Sequence, residues 1–299
     1  MTTSWARPLL SGFLDYRYMW AQETYSGAGT FQVNNLNLAY TFLLNKSYKI
    51  FLQTNIAPGS NNSQIIKQLH LDTEFAKPFQ LRLGRFKVET MERDFDQDKN
   101  NFISGPIFWD LNWGMASNPV LPDNEVGVNL YTKSRNNELQ LYVVNGSNEW
   151  TETNTVSKKS FGAYFRTLFR NIVEFRGSIY SNMYDAGSYN HTAITTEALF
   201  SILDIDIKGG GLIVLGENNG TSDNAVGGLL EMSLPISKTT RLSGLASLYK
   251  NDGYYYRGAL ALRSSINQDM IWKNEICVEK NDTTNIRDYK FQSQIVVRL

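Results

Sequence analysis

The segment Asp94-Phe95-Asp96-Gln97-Asp98-Lys99-Asn100 sets oxygen-bearing side chains at alternate positions, the spacing with which calcium loops surround an ion. Such loops carry a glycine at the sixth position and a bidentate acid at the twelfth; here those positions hold Lys99 and Gly105. The segment is therefore expected to be a solvated or cavity-facing acidic loop, with a weak cation site at Asp94, Asp96 and Asp98. Hydrolytic chemistry needs a nucleophile, a base and an orienting group in reach of one another. His70 and His191 are the only histidines, His70 stands near Asp72, and no serine occupies a G-x-S-x-G setting. The run Gly209-Gly210-Gly211 is not a phosphate cradle, because it falls inside a strand pattern, where bulging or a close backbone approach explains it better. Cys277 is the single cysteine, which excludes an intrachain disulfide and argues against a metal–thiolate centre. No cofactor is implied by these residues.

The charged residues fall into order once the elements carrying them are read. At the C-terminus Tyr289, Phe291, Ile295, Val297 and Leu299 alternate with Lys290, Gln292, Gln294 and Arg298, giving a strand with one apolar and one wet face. The same alternation sets Leu14, Tyr16, Tyr18 and Trp20 against Asp15 and Arg17, and Tyr48, Ile50 and Leu52 against Lys49 and Gln53. Leu69, Leu71 and Phe75 oppose His70, Asp72 and Glu74, while Leu81 and Leu83 oppose Arg82. Leu203, Ile205 and Ile207 interleave with Asp204, Asp206 and Lys208 as if in one strand, and 192–199 alternates poorly. About sixteen strands are read in all, separated by polar turns, with no linker dividing residues 1–299.

The connections alternate too. Those near Lys46, Ala76-Lys77, Arg135-Asn136, Phe169-Arg170, Ser201 and Lys238 are short; 24–30, 57–64, 148–160, 182–191 and 217–224 read as longer, with Asn251-Asp252-Gly253 a short exception. An even number of two-faced strands, with short turns at one end and longer loops at the other, is the pattern of an all-β transmembrane antiparallel β-barrel of the bacterial outer membrane. Its apolar face meets the lipid bilayer and its polar face encloses a hollow. No run of about 18 apolar residues suggests a spanning helix. The 29 basic and 29 acidic residues cancel, so nucleic acid is not an expected partner. The opening MTTSWARPLL lacks the apolar core of a signal peptide, so the segment is read as a mature or tagged form, or as a protein that is not exported.

Some residues break the alternation. Arg85 and Lys87 fall on the apolar parity, where a charge facing mid-bilayer costs roughly 2–4 kcal/mol, unless a bulge at Gly84 turns them inward. Lys67 and Arg287 share that parity near strand ends, where long side chains can snorkel.

The longest connection, 88–123, holds Glu89, Glu92, Asp94, Asp96 and Asp98, then the apolar stretch Ile107-Phe108-Trp109-Asp110-Leu111-Asn112-Trp113. A loop of this length is usually functional or folded back, and its apolar residues favour packing within the barrel, where it narrows the lumen. Around it, Arg82-Leu83-Gly84-Arg85-Phe86-Lys87-Val88 resembles the strand before the long loop in the phosphate-selective porins of the O and P type. Val126-Gly127-Val128 and 139–146 (LQLYVVNG) are similar to that family's next hairpin, so the likeness covers the middle third of the chain. The resemblance implies a sixteen-stranded, usually homotrimeric barrel passing small hydrophilic solutes. That family's anion sites use clustered lysines, which the inward positions here do not show, so phosphate selectivity is not carried over.

The expected function is passive diffusion of small hydrophilic solutes or ions through a charge-lined pore. Inward bases and acids are mixed, and rings of charge set selectivity in pores. Arg17, Lys49, Arg82 and Arg85 are expected on one side of the constriction, facing Glu92, Asp94 and Asp96 on the long loop. The bland reading of the same residues is ordinary cross-strand pairing in a solvated lumen. An adhesive or scaffolding barrel and a barrel-wall hydrolase stand as alternatives, with a soluble multi-strand β protein as the competing fold.

Overall fold

The computed structural model describes residues 9–21, 29–45, 47–56, 65–90, 102–104, 106, 112–113, 118–119, 124–145, 159–170, 172–183, 189–218, 221–251, 253–282 and 286–299. The alternating stretches form β1 (Leu9–Ala21), β2 (Thr30–Leu43), β3 (Tyr48–Ile56), β4 (Ile66–Ala76) and β5 (Phe79–Lys87). Two short pieces, β6 (Asn112–Trp113) and β7 (Asn118–Pro119), pair only with each other. There follow β8 (Asn124–Lys133), β9 (Asn137–Val144), β10 (Ser160–Phe169), β11 (Val173–Met183), β12 (Tyr189–Ile202) and β13 (Ile205–Asn218). The last five are β14 (Thr221–Pro235), β15 (Thr240–Lys250), β16 (Tyr254–Ser265), β17 (Met270–Asn281) and β18 (Ile286–Arg298).

Each strand pairs antiparallel with its sequence neighbour, β5 pairs β8, and β18 returns to β1, so sixteen strands close a barrel. Closure removes the open edge that hydrocarbon cannot tolerate. The Leu299 amide donates to the Gly12 carbonyl at 2.9 Å, placing the C-terminus at the seam.

The apolar rows point outward. On β16 and β17 Leu260 and Ile276 are 61% and 63% exposed, whereas their neighbours Ala259 and Glu275 face in at 6% and 1%. Aromatic residues gather at both rims of the outer surface: Phe42, Tyr48, Phe75, Phe79 and Phe169 by the short turns, Tyr18, Phe31, Tyr254 and Tyr256 towards the other end. Such girdles mark the two membrane–water interfaces of outer-membrane barrels. The Trp272 indole N–H on this outer face is satisfied by the Ser293 hydroxyl at 2.9 Å.

The structure corrects several local expectations. Lys67 is the extra residue of a bulge: Gln53 pairs Gln68 but Thr54 pairs Ile66. The ladder through Gly84 has no register break; its φ of 122° is open to glycine, and the two residues after it, Arg85 and Phe86, are both buried. Arg85 thus leaves the lipid face without a bulge. Residues 209–211 keep an unbroken register without a bulge, and a Cβ at Gly209 would meet nothing within 4 Å. The expected loop over 217–224 shrinks to residues 219–220, as β13 and β14 extend into it. Poorly alternating 192–199 lies within β12, because its inward positions are the small or polar Ala193, Thr195 and Glu197. Asp204 is not an inward strand residue: with Leu203 it forms a two-residue hairpin turn in which both φ are positive, 53° and 65°.

Candidate functional site

The lumen wall near the short turns is a belt of charge. Asp72 on β4 gathers Lys49 from β3, with Nζ at 3.0 Å, and Arg82 from β5, whose Nε donates to Oδ1 at 2.7 Å. His70 Nε2 lies 3.6 Å from the same carboxylate, its ring stacked on Phe51. The Arg82 guanidinium also lies 4.9 Å over the Tyr131 ring. Farther round, Lys133, Glu138, Arg166, Glu174, Arg176, Glu197, Lys208 and Glu231 alternate in sign from β8 to β14. Each meets the next at 2.5–3.8 Å. On β15–β17 the register instead sets cations side by side, Arg241 opposite Arg263 and Arg263 opposite Lys273, with Asp206 bonded to Arg241 at 2.7 Å.

A second structure occupies the far wall. The connection leaves β5 after Lys87 and re-enters at Asn124 on β8, adjacent strands of the barrel. Its residues 102–104 nevertheless lie against β15–β18, and β15 is the eighth strand from β5 in either direction round the ring. Phe102 packs with Leu245, Ala259, Ala261 and Cys277, where the two alanines leave room for the ring. The Ile103 and Ser104 amides donate to Glu275 Oε2 at 2.6 and 3.1 Å, and the Ser104 hydroxyl donates to Oε1. Gln292 Nε2 donates to Ser104 Oγ at 3.1 Å.

The residues expected to form one basic wall fall into separate groups. Lys49 and Arg82 share Asp72 beside the short turns. Arg17 belongs to another cluster, nearer the opposite end of β1, where its Nε and Nη2 donate to the buried Asp15 carboxylate at 2.8–3.2 Å. Asn34, the extra residue of a β2 bulge, and Gln294 donate to the same carboxylate at 2.8 and 2.7 Å. Arg85 is buried late on β5, and Lys87 pairs with Glu89 at 3.7 Å. Glu92, Asp94 and Asp96, and with them the expected cation site at Asp94, Asp96 and Asp98, lie outside the described residues. Glu138 and Glu197, central to the belt, were not among the inward acids read from the sequence. Parity would have found Glu197 had β12 been recognised as continuous with His191.

Solved structures of outer-membrane proteins share this architecture. The anion-selective porin from Comamonas acidovorans superposes with a TM-score of 0.79 at 13% identity, covering 98% of this chain and 99% of that one. The in-vitro folded OmpT, an outer membrane protein of Vibrio cholerae, in its trimer form, gives 0.72 at 10% identity over 98% and 99%. The outer membrane channel DcaP of Acinetobacter baumannii gives 0.71 at 9% identity over 100% and 99%. At identities this low the likeness shows the fold alone: a closed sixteen-stranded antiparallel barrel. No family model and no curated protein matches the chain.

Proposed function

We propose that this chain is an outer-membrane porin through which small hydrophilic solutes and ions diffuse passively. The observation that carries the reading is residues 102–104 held within a closed barrel whose outer face is apolar and whose inner face is charged. A closed wall supplies the path, and residues 102–104, held against its inner face, supply the narrowing. Because the belt from Lys133 to Glu231 alternates in sign, it presents little net field to a passing ion. Arg17, Lys49, Arg82 and Arg85 are proposed to line the basic side of the pore at different heights, Lys49 and Arg82 near the short turns and Arg17 nearer the other end, facing Glu92, Asp94 and Asp96. Kinship with the phosphate-selective O and P type rests on the short motifs at 82–88 and 126–146, without their selectivity.

The chain is read as non-enzymatic: His70 is engaged by Asp72 and Phe51 in an ion-pair cluster, which supports a wall residue rather than a catalytic base. The assembly is proposed as a homotrimer in the bacterial outer membrane, as the trimer form of one neighbour suggests. Purified protein in a planar bilayer should give ohmic conductance steps arriving in threes. A folded barrel that carries no current would overturn the reading.

A further inference from the structure

We infer that Glu275 is the latch that fixes the bore of the pore. This rests on the porin reading and deepens it by naming a positioning residue. Both roots of the connection stand on the β5–β8 wall, so nothing covalent holds its middle to the other side. Among the described residues, the centre of its attachment there is a buried carboxylate on β17, aimed from the wall into the lumen at mid-strand. A carboxylate out of water needs donors, and Glu275 takes them from the connection itself: the amides of Ile103 and Ser104 and the Ser104 hydroxyl. Gln292 holds Ser104 from the next strand, and Phe102 fills the recess over Ala259 and Ala261. Residues 102–104 thus stand on the wall opposite both roots of the connection, and the opening left in the lumen depends on this attachment.

An amide at position 275 keeps the shape but turns an N–H towards one of the donors, and alanine removes every acceptor. With the attachment lost, Glu275→Ala should raise single-channel conductance roughly twofold and admit larger neutral solutes, because the open cross-section sets passage. Glu275→Gln should fall between alanine and wild type. Asp269→Asn, in the exposed turn between β16 and β17 and outside the pore lining, should leave the size limit unchanged.

Rescue separates positioning from charge. In a Cys277→Ser background, Ser104→Cys with Gln292→Cys, bridged by a short bifunctional methanethiosulfonate reagent that spans the place of the Gln292 side chain, should restore wild-type conductance to the Glu275→Ala barrel. Heat-modifiable migration on gels confirms that each variant has folded. A folded Glu275→Ala barrel with wild-type conductance and size limit overturns the inference, as does failure of the cross-link to restore the bore. Should the wild-type barrel carry no current, the porin reading fails, and cross-linking yield alone decides the latch. A high yield that drops in Glu275→Ala supports it; an equal yield in both overturns it.

Discussion

Asp72 shows how one side chain organises its surroundings. Its carboxylate is nearly buried yet serves Lys49, Arg82 and His70 from three strands, so removing its charge leaves those groups facing one another. Asp72→Asn should cost about 1–3 kcal/mol of unfolding free energy, since hydrogen bonds to charged groups are the stronger ones. It should also displace the reversal potential towards anions, and bilayer recordings with asymmetric salt would show it. Residue type and parity made Asp72, Arg82 and Lys49 legible as inward groups. Their convergence was not legible, because alternation gives a face and not a register. Arg85 is the opposite case: its parity pointed to lipid, and the positive φ of Gly84 preceding it accompanies its burial.

Among the elements, the sequence marked strands well and their ends poorly. The β12–β13 turn was placed near Ser201, two residues early, because hairpin turns with two positive φ normally announce themselves with Asn or Gly, and here the first residue is Leu203. A branched apolar residue in the left-handed region costs about 1–2 kcal/mol. Leu203→Asn should recover on the order of 1 kcal/mol, measured as a rise in the urea midpoint of the folded barrel; no change or a loss would count against strain at this turn. The β2–β3 corner, by contrast, is written in the chain: the Asn45 side-chain oxygen accepts the Ser47 and Tyr48 amides at 2.8 and 3.0 Å. The 217–224 loop was over-read because polar residues that continue a strand near a rim look like turn residues in sequence alone.

Taken whole, the molecule is inside-out, and that orientation is directly testable. Leu260 stands mid-strand on the lipid face, so Leu260→Lys should lower barrel stability by roughly 2–4 kcal/mol in bilayers. A negligible effect there would mean the face does not meet lipid. The sequence alone determined the two-faced strands, their even number and the division into a short-turn and a longer-loop end, because each is encoded by neighbours within a few residues. Where the long connection attaches was decided only by the closed barrel. Glu275 lies 172 positions from Ile103 in the chain, and closure brings their walls face to face across a polar interior. There a desolvated carboxylate is stable only with donors supplied from the other side, a requirement that local alternation of side chains cannot express.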